Sequence, residues 1–415
     1  MINNVQNICI EDYTYELPED RIAKYPLENR DDSKLMLFTE ASGRVPKEAR
    51  FKDISDYLPD DSLMVFNNTK VVPARLLFKK DTGAIIEIFC LEPSFPEEYN
   101  VNFACTGKCR WKVIIGNIKR WKDGFLSLYI GEGNPDEDIL KEIDLKAELI
   151  SREGECIVEF TWRSGLSFSK VMEHCGRIPI PPYLKRDTEA IDLERYQTYY
   201  AKNDGSVAAP TAGLHFTGKE LDDIDRKGIK RMNLCLHVGA GTFLPVKSDV
   251  IGGHTMHSEP FSVTKEFLKV LASYDGKPVV AVGTTSTRSL ESLYFLGVHC
   301  IERGEPQVVE QWEPYRDGGY DYSMKESIEA LIGYMDKNGM ERLISRTRII
   351  IAPGYRFRVI QYIVTNFHQP QSTLLLLISA LVGDDWRRIY DFAMKNGFRF
   401  LSYGDSSLLQ RVENL

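Results

Sequence analysis

The feature of this sequence that most constrains the fold is a block of short β-type runs between residues 72 and 162. Runs such as 84–90 and 156–162 are mostly apolar, and glycine and charged turns separate them. This spacing predicts a small all-β module of the barrel kind. On both sides of the block, buried-strand runs alternate with helical patterns. We therefore predict an α/β fold in which a larger α/β domain (1–71 and 163–415) carries an inserted β-barrel domain (72–162).

Individual elements of the α/β part follow from local patterns. Residues 35–38 and 63–66 predict buried strands, and acids in a first turn predict a short helix over residues 16–23. The apolar run 372–382 is too short to cross a bilayer and predicts a buried helix. An amphipathic pattern predicts another helix around residues 325–336.

Composition limits the partners of the protein. The chain has 415 residues, a formal net charge of −8 and eight cysteines without framework spacing. Such cysteines are typical of a reducing cytoplasm, and no secretory signal is visible, so we expect a cytoplasmic protein without membrane contact. We expect a monomer or a weak homo-oligomer. Because the net charge is negative, a nucleic-acid partner must bind a local basic patch.

Two loops have the composition of a binding site. Residues 206–217 read SVAAPTAGLHFT, and residues 236–243 read LHVGAGTF. Small residues, proline and glycine let the backbone approach a bound group, and each loop carries one histidine, His215 or His237. Loops of this kind make poor core and poor surface, so they predict a site.

Further motifs accompany these loops in order along the chain. They are residues 15–18, 24–27, 65–75, 176–183, 195–198, 282–292, 352–355, 365–374 and 399–405. Together they resemble the S-adenosylmethionine:tRNA ribosyltransferase-isomerase family of queuosine biosynthesis, outside the β module and residues 301–347. The resemblance implies an α/β domain with an inserted barrel. It also implies transfer of the ribosyl part of S-adenosylmethionine onto 7-aminomethyl-7-deazaguanine in the tRNA anticodon, giving epoxyqueuosine-tRNA, adenine and methionine.

That chemistry requires groups that move protons. A base must remove a proton beside the sulfonium, and the departing adenine needs a proton or a hydrogen-bond donor. His215 and His237 are the candidates for base and acid, and Arg288 and Asp405 complete the predicted catalytic set. For each histidine, the alternative is a buried ring that is merely hydrogen-bonded within the fold.

The predicted S-adenosylmethionine site combines residues from four motifs. Its members are Pro210, Thr211, Gly213, Gly239, Gly241, Thr242, Thr284, Thr285, Glu291, Asn366 and His368. The run 239–242 has backbone N–H groups suited to a carboxylate or a phosphate, but a plain turn is the alternative. Likewise, Thr284 and Thr285 are alternatively helix N-caps, and Glu291 is alternatively an ion-pair partner of Arg288.

A basic stretch of the β module predicts an RNA-binding face, because basic side chains contact phosphates and aromatic rings stack on unpaired bases. With a second basic run near residue 346, the predicted RNA-binding residues are Lys108, Arg110, Trp111, Lys112, Arg120, Arg346 and Arg348. The alternative is a solvated strand edge protected by lysines. We expect no metal, since the spacing of His254 and His257 is a weak zinc signal and the reaction needs none.

Several positions depart from the pattern of the family. Gln361 replaces a usual aspartate, Gln369 a usual leucine and Lys70 a usual arginine, and the β module also differs at 81–87. Two other functions therefore stay open. One is a paralogue that uses S-adenosylmethionine on a different nucleobase or amine, and the other is a non-catalytic protein that binds RNA or nucleotides.

Overall fold

The computed structural model describes residues 4–152, 154–237, 246, 248–316 and 319–413. Its strands are β1 (Lys34–Phe38), β2 (Lys47–Arg50), β3 (Leu63–Asn67), β4 (Thr69–Val71), β5 (Arg75–Lys79), β6 (Ile85–Phe95), β7 (Lys108–Ile115), β8 (Phe125–Leu128), β9 (Lys146–Ser151), β10 (Cys156–Thr161), β11 (Gly176–Arg177), β12 (Asn203–Ser206), β13 (Lys230–Leu236), β14 (Glu259–Thr264), β15 (Val279–Val282), β16 (Arg342–Thr347), β17 (Tyr362–Asn366) and β18 (Ser406–Gln410). Its helices are α1 (Ile54–Tyr57), α2 (Tyr99–Ala104), α3 (Glu137–Ile143), α4 (Phe168–Cys175), α5 (Ala190–Arg195), α6 (Gly218–Arg226), α7 (Lys265–Ala272), α8 (Thr284–Arg303), α9 (Met324–Lys337), α10 (Thr373–Val382) and α11 (Asp385–Lys395).

The larger sheet has the strand order β16-β14-β13-β3-β15-β17-β18-β1-β2. Its central strands β13, β3, β15 and β17 run parallel, and both faces of the sheet are covered. Side chains of a strand alternate between the two faces. In β1, Met36 and Phe38 therefore join one apolar cluster, whereas Leu35 and Leu37 join the other. The strands predicted at 35–38 and 63–66, and the α/β class, are confirmed.

The smaller sheet closes into a six-stranded antiparallel barrel. Its strands follow the order β5-β6-β7-β10-β9-β8, and β8 pairs again with β5. Large apolar side chains, including Phe78, Trp111 and Phe160, fill the interior. The predicted β-barrel is therefore confirmed.

The chain stays in contact with the barrel beyond residue 162. Phe168 and Met172 of α4 belong to the apolar cluster of the barrel, and Gly176 of β11 pairs with Leu76 of β5. A Cβ atom on Gly176 would lie 1.9 Å from the carbonyl oxygen of Pro73, so only glycine fits this contact. The domain boundary at residue 162 stays a prediction.

Two predicted helices are present, and one is not. α9 and α10 match the predictions at 325–336 and 372–382. The helix predicted over residues 16–23 is wrong, since only Glu19–Arg21 form a 3-10 turn. The N–H of Ala23 instead donates to the carbonyl of Phe400, so long-range pairing overrides the local pattern. No helix in the described part of the chain is long and apolar enough to cross a membrane.

Candidate active site

A pocket opens where two parallel strands of the larger sheet end, and we call it the strand-end pocket. β15 and β17 are parallel neighbours, so their carboxyl ends lie at the same edge of the sheet, where ligands of open α/β sheets bind. Its volume, including the open mouth, is about 910 Å³. The lining comprises residues 208–212, 283–285, 365–369 and 372–374, with Tyr183, Leu401 and Ser402.

Six predicted ligand-binding residues meet in this pocket. They are Pro210, Thr211, Thr284, Thr285, Asn366 and His368. Gly283 makes the turn from β15 into α8 with a φ of 93°, which favours glycine, and it occupies the N-cap position itself. Thr284 and Thr285 are therefore the first two residues of α8, not its caps. The first turn of a 20-residue helix thus faces the pocket, which favours electronegative groups there.

His215 lies behind the wall of the strand-end pocket. Its Nε2 accepts a hydrogen bond from the Asn366 amide nitrogen at 3.1 Å, and its Nδ1 lies 2.8 Å from the Ser33 hydroxyl oxygen. Burial, and after it the positive charge of Arg399, lowers the pKa of His215 to about 3. The ring is therefore neutral at pH 7, and it reaches the pocket only through the Asn366 side chain that it orients.

His368 lies in the pocket wall itself. Its Nε2 is 2.9 Å from the Thr365 hydroxyl oxygen, and its backbone N–H donates to the Tyr390 hydroxyl at 3.1 Å. Burial lowers the pKa of His368 to about 3, so this ring is also neutral at pH 7. It offers hydrogen bonds to a ligand without adding a charge.

Glu291 has a structural position, in contrast to the ligand-binding role that the sequence predicted. Its carboxylate accepts hydrogen bonds from the backbone N–H groups of Arg358 (2.8 Å), Val359 (3.0 Å) and Ile360 (3.0 Å), and from the Tyr355 hydroxyl (2.9 Å). The side chain is fully buried and lines none of the cavities described here. It anchors the segment that leads into β17.

Asp405 and Gly213 also act in packing instead of facing the pocket. The Asp405 carboxylate accepts hydrogen bonds from the backbone N–H groups of Lys34 at 3.1 Å and Arg399 at 2.8 Å, and it pairs with the Arg399 guanidinium at 3.3 Å. A Cβ atom on Gly213 would lie 1.9 Å from the Tyr200 hydroxyl oxygen. These contacts give the two residues structural roles, and the catalytic role of Asp405 and the ligand-binding role of Gly213 stay predictions.

A larger opening lies between the barrel and the larger sheet, and we call it the barrel–sheet cleft. β6 and β7 supply residues 91–94 and 112–115, and the facing wall holds residues 255–260 with Arg346 and Arg348. His237 lines this cleft, whereas His215 lies behind the wall of the strand-end pocket, so the two predicted catalytic histidines do not share a cavity.

The His237 ring is held by its neighbours. It stacks on the Tyr99 ring at a centroid distance of 4.0 Å and an interplanar angle of 7°. Gly205, with a φ of 136°, leaves room for it, because a Cβ atom there would lie 2.6 Å from Nδ1 of His237. Burial lowers the pKa of His237 to about 4, which keeps the ring neutral at pH 7.

Charged side chains of the barrel–sheet cleft form a network in which the Arg346–Glu92 pair crosses between the two sheets. Nη2 of Arg346 lies 2.7 Å from Oε2 of Glu92, and Nζ of Lys112 lies 2.7 Å from both Oε1 of Glu92 and Oε2 of Glu155. The stretch of β7 that lacks acids in sequence is therefore surrounded by acids in space. A polyanion that binds here must replace the Glu92 and Glu155 carboxylates as the partners of Lys112 and Arg346.

The predicted RNA-binding residues do not all share one environment. Lys108 and Arg120 are exposed, Arg110 pairs with Glu159 at 2.8 Å, and Arg348 lies at the mouth of the cleft. Trp111 is fully buried in the barrel interior, so the predicted stacking on an RNA base is corrected. Its strand alternates, and the basic residues on either side point outward.

A small third cavity shares wall residues with both larger ones, and we call it the linking cavity. Thr373 and Leu374 line both it and the strand-end pocket, while His257 and Glu259 line both it and the barrel–sheet cleft. Arg288 also lines the linking cavity, and its guanidinium pairs with the Glu259 carboxylate. The three cavities thus form a series of neighbours that share wall residues, from the barrel to the strand ends.

Two other predictions concern the run 239–242 and the absence of a metal site. Gly239, Gly241 and Thr242 lie outside the described residues. Among the residues that are described, no three or more His, Cys, Asp or Glu side chains are grouped to hold a metal ion, and His254 and His257 gain no third ligand.

Comparison with known proteins identifies the family. The family model described as "Queuosine biosynthesis protein" matches residues 10–409. The chain is 38% identical over 404 residues to the S-adenosylmethionine:tRNA ribosyltransferase-isomerase of Halothermothrix orenii, with 96% of this chain and 99% of that protein covered. It is 35% identical over 403 residues to the protein of the same name from Desulfitobacterium hafniense, with 96% and 99% covered.

The chain belongs to this family. The predicted resemblance and the enzyme class, a transferase, are thereby confirmed. The crystal structure of S-adenosylmethionine tRNA ribosyltransferase from Thermotoga maritima aligns over 96% of this chain and 99% of that one, with 25% identity and a TM-score of 0.46.

The positions that depart from the pattern of the ribosyltransferase-isomerase family have different surroundings. Gln361 accepts a hydrogen bond from the backbone N–H of Val279 at 2.8 Å, so it ties β17 to β15 away from the cavities. Lys70 pairs with Asp204 at 3.6 Å. Gln369 alone of the three lines the strand-end pocket, so only this departure touches ligand recognition directly.

Sequence reasoning missed Ser33, Glu92 and Glu259 as members of the site. Each acts through a partner that is remote in sequence, namely His215, Arg346 and Arg288. Of the three, Glu259 is the residue that the sequence best indicates. It is an acidic residue at a buried position of the alternating strand β14, where an acid needs a partner. No local pattern marks Ser33.

Proposed function

We propose that the protein transfers and isomerises the ribosyl group of S-adenosylmethionine onto 7-aminomethyl-7-deazaguanine in the tRNA anticodon. The products are epoxyqueuosine-tRNA, adenine and methionine. The observation that carries this proposal is the series of cavities, because it places a pocket at the strand ends close to a charged cleft at the barrel. A reaction between a small molecule and an RNA needs two such sites close together.

The strand-end pocket suits the adenosyl part of S-adenosylmethionine. Thr285, Asn366 and Ser372 offer hydroxyl and amide groups, and Ala209 and Gly283 keep the backbone accessible. The neutral ring of His368 adds a hydrogen-bonding group without charge. These groups hold the base and the ribose by hydrogen bonds and shape.

The two predicted catalytic histidines have different proposed roles. His237 lines the cleft as a neutral imidazole, which is the form that a general base requires. His215 is a positioning residue, because its ring fixes the amide of Asn366 in the pocket wall. Protonation of the departing adenine then falls to solvent or to a hydroxyl donor of the pocket.

The barrel–sheet cleft is the proposed site for the tRNA anticodon. Lys112, Arg346 and Arg348 line it, and the exposed Lys108 and Arg120 extend the basic surface along the barrel. Phosphates attract such side chains and release their counter-ions. Glu92 and Glu155 pair with two of these cations, so the cleft favours a partner whose phosphates can replace the two carboxylates.

The test incubates the protein with S-adenosylmethionine and an anticodon stem-loop that contains 7-aminomethyl-7-deazaguanine. We expect adenine release together with a mass increase of the RNA, and neither with a stem-loop that contains guanine at that position. Adenine release without modification of the RNA would indicate a different acceptor. The absence of both would leave only a binding function.

A further inference from the structure

Arg288 has a buried hydrogen-bonding group that no residue in the described part of the chain uses. Its Nε donates to the carbonyl of Ile349 at 3.0 Å, and its Nη1 pairs with the Glu259 carboxylate. Its Nη2 is buried and has no partner among the described residues. The Arg288 side chain is only 7% exposed. A buried cationic donor without a partner is costly, so this group indicates a ligand.

The position of Arg288 restricts that ligand. The guanidinium lies in the wall of the linking cavity, between the strand-end pocket and the barrel–sheet cleft. Glu259 stands beside it in the same wall. The wall of the cavity therefore contains one cationic donor without a described partner and one carboxylate.

We infer that Arg288 and Glu259 bind the α-amino-acid end of S-adenosylmethionine. The inference rests on the proposed function and extends it. The free Nη2 of Arg288 donates to the α-carboxylate, and the Glu259 carboxylate accepts from the α-ammonium group. The adenosyl part then occupies the adjoining strand-end pocket, with which the linking cavity shares Thr373 and Leu374.

The charge pattern favours a zwitterion over a simple anion. A phosphate at Arg288 would face the Glu259 carboxylate, and the repulsion between like charges would oppose its binding. A zwitterion carries both signs on neighbouring groups and matches both side chains. Charge-assisted hydrogen bonds of this kind are roughly twice as strong as neutral ones.

The experiment compares three ligands by calorimetry on the complete protein. They are S-adenosylmethionine, decarboxylated S-adenosylmethionine and 5′-methylthioadenosine, which lacks the whole amino-acid end. We expect wild-type protein to prefer S-adenosylmethionine over its decarboxylated form. In Arg288→Gln, the affinity for S-adenosylmethionine should fall about 10- to 100-fold, while the affinity for 5′-methylthioadenosine stays the same.

Two further variants separate this effect from damage to the fold. The double variant Arg288→Gln, Glu259→Gln removes both charges, so neither is left buried alone. It should fold and show the same selective loss. Arg186→Gln breaks an equally buried pair with Asp192, 2.7 Å apart and outside the three cavities, and should keep the wild-type preference.

The outcomes distinguish the inference from the proposed function. If wild type binds S-adenosylmethionine and the double variant discriminates among the ligands as wild type does, the assignment of Arg288 and Glu259 is overturned, and the proposed function stands. If wild type does not bind S-adenosylmethionine, the proposed function fails first. A loss of affinity for 5′-methylthioadenosine equal to that for S-adenosylmethionine would also overturn the assignment.

Discussion

The strand-end pocket and the barrel–sheet cleft differ in the chemistry of their walls. Among the described residues that line the strand-end pocket there is no Asp, Glu, Lys or Arg, and the ring of His368 is neutral. The barrel–sheet cleft is lined by paired charges, of which Glu92, Lys112 and Arg346 are the centre. The wall of the pocket is therefore suited to recognising shape and hydrogen-bonding groups, whereas the wall of the cleft is suited to exchanging ions.

This difference has a measurable consequence. Interactions of buried neutral groups are little affected by salt, while exposed ion pairs and phosphate contacts weaken as salt is added. Binding in the pocket should therefore change little with ionic strength, and binding in the cleft should change steeply. Variants of the pocket and variants of the cleft test these two expectations separately.

Filling the pocket should have the largest effect. Thr285 is partly exposed at its wall, so Thr285→Phe places a ring in the ligand space without disturbing the core. We expect kcat/KM for adenine release to fall about 100-fold, because a displaced ligand loses its reactive geometry. Thr285→Ser keeps the hydroxyl and serves as the matched control. Full activity of the phenylalanine variant would place the adenosyl site elsewhere.

The buried histidines should make the protein sensitive to acid. The pKa of His215 is about 3 because of its burial, against about 6.5 in an unfolded chain. As the pH falls below about 6.5, the His215 side chain binds a proton in the unfolded state but not in the folded state. The free energy of unfolding therefore decreases until the pH reaches the pKa of His215 in the folded protein, about 3. Between pH 8 and pH 5, the titration of His215 lowers the free energy of unfolding by about 2 kcal/mol.

His215→Gln can keep hydrogen bonds to Ser33 and Asn366 while it removes the titration. The free energy of unfolding, measured with urea at pH 8 and pH 5, should then differ by about 2 kcal/mol less than in wild type. The same change at the exposed His174 provides the reference. An unchanged difference in His215→Gln would mean that this ring is not neutral in the folded protein.

The sequence allowed the pocket to be predicted because its parts follow local rules. The runs 208–212, 283–285 and 365–368 were identified by small residues, hydroxyls and strand ends. Parallel strands bring their carboxyl ends to one edge, so the segments meet. The barrel and the α/β class followed from periodicity in the same way.

The roles of Glu291, Asp405 and Trp111 depend on contacts that no local pattern shows. The carboxylates of Glu291 and Asp405 accept hydrogen bonds from backbone N–H groups that lie elsewhere in the sequence. The sequence pattern around an acidic residue is the same whether its carboxylate contacts a ligand or the backbone. Trp111 was different, because the period of two in Lys108-Cys-Arg-Trp-Lys already places it on the face opposite the basic residues.

A third test changes the cleft in both directions. Arg346→Gln removes a cation and should weaken tRNA binding several-fold, with the slope of log affinity against log salt reduced by about one. Glu92→Gln releases Arg346 and Lys112 from their shared acid and should strengthen tRNA binding. Filter binding at several salt concentrations measures both, with the remote Arg226→Gln as control. Weaker binding in both variants would mean that the ion network holds the cleft in shape instead of binding RNA.

The smallest effect on RNA binding is expected from Trp111→Phe. The indole lies inside the barrel against Phe103 and Phe168, so the change removes core volume and should lower the stability of the protein by about 1–2 kcal/mol. It leaves the outward-facing Lys112 in place, so the affinity for tRNA and its salt dependence should match wild type. A marked loss of affinity in a folded Trp111→Phe variant, with Lys112→Gln giving none, would restore the stacking role and remove the cleft as the RNA site. Because the two residues are neighbours on one strand, this pair of variants separates the inside of the barrel from its charged surface.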